Sequence, residues 1–542
     1  MKNVLVLSLL IVVAVSAVPA AGEYLVSINL SAPEQVYALG DRNVRVVAQL
    51  EDACLALLRT DEFSLLGSEF TARILDAGPQ DKLYVLVVPK RGADLSRLTL
   101  PGAALFDDDK VVLLRATEDD IPDLNRLPVE LCRLSLDPMD LSRTDAGSLV
   151  EPRPMSDSLV ARIVGTVSRD SVLGSIRRLQ NFYTRYSTTD SCRHAVDYMV
   201  GRLQAYNCDS FYGHTYRSSY APNAIGVKVG TVNPRRQYII CGHIDATSDF
   251  EPDHCPGSDD NASGTTAALE AARVFADYEF DYTVKFIGFT GEEQGLFGSD
   301  SFASQASRRH DTILGVLNFD MISYGRTNRD SLLITGRSTG PNCTPLVNAY
   351  CANADTYTTL KYRKDMISSG GYGSDHYYFW QRGYLALWGM ENDFTPEYHT
   401  LGDTIGTPGY VNCGTNNIPM CAEGIKAAVA TLAKLAGAHA PSGVEQGARV
   451  ARRFELGQNS PNPFAGQTVI RYSPGSDASA RVRVYDLRGA LVSELADPGS
   501  AGVRQVSWNG RDRSGRAVVP GIYFYRLEGN SQTPFRKAVL TQ

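Results

Sequence analysis

Between about residues 158 and 438, short apolar runs alternate with helix-like stretches, and four of those runs end in residue types that bind metals. The run 238–241 leads into Gly242, His243 and Asp245. The run 284–289 leads into Thr290, Gly291, Glu292 and Glu293, and 316–319 runs straight into Asp320. The run 384–388 is followed by Glu391 and, after a loop, His399. A further loop, PGSDDNASG, carries Asp259 and Asp260 just before a helix-like stretch at 265–277. Strands alternating with helices predict an α/β fold built on a mixed, mainly parallel sheet flanked by helices. Such sheets bind ligands beyond the carboxyl ends of their strands, which is where these side chains fall.

One carboxylate at a strand end is ordinarily solvated or caps a helix. Several of them together with two of the chain's eight histidines are far more specific. Histidine nitrogens and carboxylate oxygens suit zinc. A closed structural site needs four ligands. Five or six, with a glutamate to spare, suit a pair of ions about 3.5–4 Å apart that share one carboxylate.

The motifs GHID, PGSDDNASG, TGEEQGLFGS, NFDM and YHTLGDT, in this order, resemble the bacterial leucyl-type zinc aminopeptidases, whose fold is shared with animal glutaminyl cyclases. The resemblance covers roughly residues 170–438. It implies two zinc ions per chain, one held by Asp260, Glu293 and His399, the other by Asp260, His243 and Asp320. Asp260 is then the bridge and Glu292 the general base, serving a hydroxide between the metals. Asp245, two residues after His243, is expected to orient the imidazole, and Asp403 to support His399. Asp259 is expected to shape its loop, His376 to form pocket wall, Tyr372 to offer a donor to an oxyanion, and Glu391 to hold a substrate amine.

The rest of the chain carries no such cluster. Residues 1–21 have Lys2, an apolar run and then small residues, the layout of a signal peptide rather than a membrane span. Residues 22–157 read as an α+β domain, either a propeptide or an accessory fold, with strands at 24–30, 83–88 and 110–114. The stretch 41–58 is expected to hold a strand and helical pieces, as is 121–131. Residues 158–438 form the peptidase-like domain and 439–456 a linker. From 457 to 542, short alternating runs between turn signals predict a small β-sandwich. Its SPNPF, VYDLRGALV and WNGRDRSGRAVVPGIYFYRL resemble the sorting domain of the type IX secretion system and the immunoglobulin-like domain of flagellar hook-capping protein. That resemblance implies the secretion machinery as a partner and a secreted or bacterial cell-surface location.

Ten cysteines in an exported chain suggest disulfides, with Cys192–Cys208, Cys343–Cys351, Cys413–Cys421, Cys241–Cys255 and Cys54–Cys132 as sequence-adjacent candidates. A net charge of −7 argues against a nucleic-acid partner. The expectation is a secreted metallopeptidase that removes N-terminal residues from peptides with a free N-terminus. The alternatives are a single-zinc glutaminyl cyclase-like enzyme and a surface-binding protein with an inactive peptidase domain.

Overall fold

The structure, a computed structural model, describes residues 22–89, 93–141, 156–326, 330–405, 417–440, 454–459, 461–474, 481–495, 504–528 and 535–541. The expected signal peptide, most of the 439–456 linker and Cys413 lie outside the described residues. The chain divides into two compact units at 439/440.

The first unit is built around an eight-stranded mixed sheet. Its order is Tyr362–Ile367, Leu332–Arg337, Ala386–Glu391, Thr312–Phe319, Asn233–His243, Tyr282–Phe289, Asn223–Lys228 and Ser210–His214. The four strands from Ala386–Glu391 to Tyr282–Phe289 are mutually parallel. They are buried on both faces, so their sequences are near-continuous apolar runs. Those are the runs that the sequence exposes. The outer strands have weaker signals; Tyr362–Ile367, at one edge, has no fully buried residue.

Helices cover both faces and start where polar caps dictate. Ser168 accepts from the amide of Ser171 to open Arg169–Gln180, and Thr189 from that of Cys192 to open Asp190–Ala205. The helix Ile418–Ala436 is buried along nearly its whole length and stops at Gly437, whose φ of 69° is the left-handed cap that glycine favours.

The N-terminal domain has two four-stranded antiparallel sheets. One runs Arg45–Gln49, Ala53–Arg59, Glu23–Asn29, Ala72–Ala77; the other Ala103–Asp107, Val112–Ala116, Leu83–Pro89, Val129–Arg133. The stretch 41–58 holds two strands, its only helical residue being the end of Gln35–Asp41, and 121–131 holds the short helix Ile121–Asn125 before the last strand. Leu25, Leu55, Leu86, Leu113, Cys132 and Leu134 of this domain belong to the same hydrophobic core as the large sheet and its helices.

The second unit is an antiparallel sandwich. Phe454–Leu456, Thr468–Pro474 and Arg504–Trp508 form one sheet; Leu491–Leu495, Arg481–Tyr485, Gly521–Glu528 and Arg536–Leu540 form the other. Ile470, Trp508, Val482, Val484, Tyr525 and Leu527 fill the space between them.

Disulfides are absent among the described residues, and the nine cysteines there are all buried. Cys54 lies in one core and Cys132 in another, so the expected pair cannot meet. The Cys241 thiol donates to Asn318 Oδ1 at 3.4 Å and the Cys343 thiol to the Pro341 carbonyl at 3.3 Å. These residues act as small apolar side chains in a packed interior.

Candidate metal centre

The parallel strands bring their carboxyl ends to one edge, and the motif residues converge there. His243 ends its strand, Asp320 follows Phe319 directly, and the Asp320 amide donates to the Gly389 carbonyl of the adjacent strand at 3.0 Å. Asp260 uses both carboxylate oxygens. Its Oδ1 lies 3.2 Å from His243 Nε2, and its Oδ2 lies 3.1 Å from His399 Nε2. His243 Nε2 is also 3.3 Å from Asp320 Oδ1 and 3.8 Å from Glu292 Oε2. His399 Nε2 is 2.9 Å from Glu293 Oε2. Two groups therefore share Asp260: one with His243 and Asp320, the other with Glu293 and His399. Glu292 stands beside the first and is the more exposed of the two glutamates.

Neighbouring residues fix these side chains. His243 Nδ1 lies 3.1 Å from the Asp245 carbonyl and 3.7 Å from the Asp245 carboxylate. The carboxylate itself accepts from the Ser187 hydroxyl at 2.8 Å and the Glu293 amide at 3.2 Å. Asp245 thus orients the imidazole chiefly through its backbone, and its carboxylate ties the His243 strand to the Glu292–Glu293 loop. Glu293 Oε1 accepts from the Thr247 amide at 3.0 Å. His399 sits at a φ of 56°, a left-handed conformation that costs a non-glycine residue about 1 kcal/mol or more and aims the ring. Asp403 supports the neighbouring loop. Its two oxygens accept from the amides of Asp259 and Asp260, at 2.8 and 3.0 Å, and so hold the bridging residue's backbone.

Packing at this edge is tight. A Cβ on Gly264 would meet the Phe319 carbonyl oxygen at 2.0 Å, and one on Gly242 the Gly264 carbonyl carbon at 2.6 Å. Glycine lets the helix Gly264–Val274 press against the strand ends that carry His243 and Asp320.

Electrostatics match the crowding. Burial pushes the Glu292 carboxyl well above its usual range; His243 opposes the rise, while Asp320 and Glu293 add to it. Burial and then Asp260 push Glu293 up to about 7. Burial disfavours charge on His243, yet Glu292, Asp320 and Asp260 outweigh it and raise its pKa well above normal. Asp320 Oδ1 is buried with no hydrogen-bond partner. A nitrogen-and-oxygen donor set with excess negative charge and an unsatisfied carboxylate oxygen fits divalent zinc.

The remaining expectations divide. Asp259 does shape its loop: Oδ1 accepts from the Ser323 amide and hydroxyl at 2.8 and 2.9 Å. His376 packs against two tryptophans, stacked on Trp388 at 4.8 Å and edge-on to Trp380, and burial lowers its pKa to about 3. Tyr372 is turned away, its hydroxyl donating to the Gln49 carbonyl at 3.2 Å. Glu391 is buried, takes the Thr395 amide at 2.5 Å, and is pushed well up by burial and then by Asp259. Sequence reasoning missed Arg185 and Ser187. The fully buried Arg185 guanidinium donates to the carbonyls of Ile244, Pro256 and Gly257 at 2.6, 2.5 and 2.5 Å, clamping both ligand loops. Its partners are backbone atoms about 60–70 positions away in sequence, which no local pattern reveals.

Comparison with known proteins agrees with this geometry. The sequence profile of peptidase family M28 matches residues 223–416. A probable zinc metalloprotease of Pyrenophora tritici-repentis is 27% identical over 305 residues, covering 46% of this chain and 69% of that protein. A probable leucine aminopeptidase of Arthroderma otae is 27% identical over 273 residues, covering 45% of this chain and 70% of that protein. Across several other such fungal metalloproteases the match spans less than half of their length. Among solved structures, the LapA aminopeptidase of Legionella pneumophila superposes with a TM-score of 0.50 at 18% identity, covering 66% of this chain and 99% of that one. At that identity the likeness is one of fold. The span that matches peptidase family M28, 223–416, carries His243, Asp260, Glu292, Glu293, Asp320 and His399.

Proposed function

We propose that this protein is a two-zinc aminopeptidase that hydrolyses the first peptide bond of substrates with a free N-terminus. The observation that carries the reading is Asp260, which offers one oxygen to each of two ligand groups. His243 and Asp320 complete one zinc site, Glu293 and His399 the other. When bound, the zinc pair supplies the positive charge that polarises the peptide carbonyl and acidifies a water molecule.

Glu292 then has the proton-transfer role. Its Oε2 lies 3.8 Å from His243 Nε2, grouped with His243 and Asp320 at one side of the cluster. Its carboxylate takes a proton from the attacking water and returns it to the departing amine. The raised basicity that burial confers suits both halves of that exchange. Asp245, Ser187 and Asp403 hold the ligand loops so that little reorganises during the reaction.

The apolar leader and the C-terminal motifs support export to a secreted or cell-surface location, with the sandwich acting as a sorting signal. The curated relatives named above are fungal, so that part rests on the motifs alone. The test of the activity is direct: zinc-loaded protein should release the chromophore from leucine 4-nitroanilide and spare its N-acetylated form. Failure to cleave any aminoacyl anilide would refute the aminopeptidase reading. One zinc per chain together with pyroglutamate formation would favour a glutaminyl cyclase instead.

A further inference from the structure

The last strand of the N-terminal domain, Val129–Arg133, continues into a strap, residues 133–140, that is bonded to the peptidase domain along its length. At its start the Arg133 amide donates to the Gly295 carbonyl at 3.3 Å, and the Arg133 carbonyl accepts from the Tyr378 hydroxyl. In its middle the buried Arg382 guanidinium donates to the carbonyls of Asp137 and Pro138 and to the Ser135 hydroxyl, at 3.1, 3.2 and 3.2 Å. At its end the Asp140 amide donates to the Gln381 carbonyl at 3.1 Å. The strap is anchored in its own domain as well: the amides of Leu134 and Met139 donate to the carbonyls of Tyr84 and Val46 at 2.8 and 2.7 Å.

The strap's partners lead to the turn that carries Glu292. Arg382 also donates to the Ser304 hydroxyl at 2.8 Å and lies 3.4 Å from the Asp300 carboxylate. Both residues belong to the helix Phe297–Arg308, which begins just after Glu292 and Glu293. Between them the chain turns tightly. The amides of Gly295 and Leu296 both donate to the Glu292 carbonyl at 2.8 Å, and the Phe297 amide donates to the Gly291 carbonyl at 2.9 Å. Arg133 closes on this turn: a Cβ on Gly295 would stand 3.2 Å from the Arg133 amide nitrogen. The Phe297 ring meets two guanidinium groups, Arg133 at 4.9 Å and Arg217 at 4.2 Å. Arg217 is itself paired at 3.1 Å with Glu118 of the N-terminal domain.

The contact has the character of an interior. Leu25, Leu55, Leu86, Leu113, Cys132 and Leu134 lie in one core with the large sheet, so loss of the domain would expose that core to water. The hydrogen bonds from Arg382 are charge-assisted and buried, which makes them stronger than neutral ones at a wet surface. Interfaces of this apolar kind belong to permanent rather than transient associations.

We propose that the N-terminal domain stays with the peptidase domain as a permanent part of the enzyme, and that its strap positions Glu292. Arg382 and Arg133 are positioning residues, acting on the turn that carries the general base. The positioning role rests on the aminopeptidase reading; the permanence of the domain stands apart from it. A proton carrier must keep its reach to both the attacking water and the leaving amine, and a displacement of about 1 Å can cost about a hundredfold in rate.

A protease site placed between 142 and 155 of the full chain tests permanence without reference to activity. After cutting, the fragment containing 22–141 should co-elute with the remainder in native buffer and separate only in denaturant. Release in native buffer would overturn the proposal. A rise in activity on cutting would overturn it too, and would mark the domain as an inhibitor. Steady-state kinetics of the zinc-loaded full chain on leucine 4-nitroanilide test the strap. R382Q should lower kcat about tenfold, with KM within about threefold and zinc content unchanged, and R382K should recover part of the loss. R133A leaves the strap's backbone bonds in place and serves as the second variant should R382Q not fold; it should lower kcat about threefold. In an E292Q background neither change should lower kcat further, because the group they position is gone. Unchanged kcat in R382Q and R133A, or losses that multiply with that of E292Q, would overturn the positioning role. An inactive wild type would instead refute the aminopeptidase reading.

Discussion

Glu292 and Glu293 are adjacent in sequence and differ in what surrounds them. Glu293 is held by the Thr247 amide and faces His399; Glu292 faces His243 and is the more exposed. The first arrangement suits a fixed ligand and the second a proton carrier. Accordingly, E292Q should lower kcat by about 10²–10⁴-fold with zinc content intact. E293Q should lose metal, measured by elemental analysis of the purified variant. The pair was legible in the sequence because TGEEQG sits at the end of an apolar run. The geometry separates their settings, while the roles themselves come from the family resemblance. Arg185, Ser187 and Asp403 were illegible in their actual roles, since each acts on groups brought near only by the fold.

At the scale of elements, the four parallel strands were readable because burial on both faces leaves apolar runs. The flanking strands and the division of 41–58 into two strands were not, because half-exposed edges mix polar and apolar residues. The approach of helix Gly264–Val274 to the strand ends is the feature most open to test. G264A places a methyl group against the Phe319 carbonyl. It should cost about 1–3 kcal/mol, or more if the backbone cannot shift, and weaken zinc binding. Thermal unfolding with and without zinc measures both effects. In the N-terminal domain, Asp76 joins the strands through Lys82 at 2.9 Å, the Tyr84 hydroxyl at 2.8 Å and Arg115 at 3.1 Å. Burial raises its pKa, but these partners outweigh burial and leave it below the usual carboxylate value. A depressed folded pKa contributes stability above the unfolded value of about 3.9 and loses it as pH falls through the folded one. D76N should therefore cost about 1–2 kcal/mol at pH 7. The gap from wild type in urea unfolding should shrink towards pH 3.

For the whole molecule, the five proposed ligand residues come from separate loops of one unit, so metal binding there would be linked to folding. A ligand at about 1,000 times its dissociation constant stabilises the native state by about 4 kcal/mol. Chelation should lower Tm, and added zinc should restore it. The general plan, an α/β unit between an α+β domain and a β-sandwich, was visible from the changing period of apolar residues along the chain. The sharing of one core between the N-terminal domain and the large sheet was not, because it depends on which face of each strand meets which neighbour. Disulfide formation was expected from cysteine count and export, but none is present among the described residues. The central claim is that Asp260 bridges two zinc sites, and zinc stoichiometry of wild type and D260A, measured by elemental analysis after dialysis against trace free zinc, tests it most directly. Two zinc ions per wild-type chain and loss of both in D260A is the predicted result; a wild type that retains one zinc, or a D260A that retains two, would contradict it.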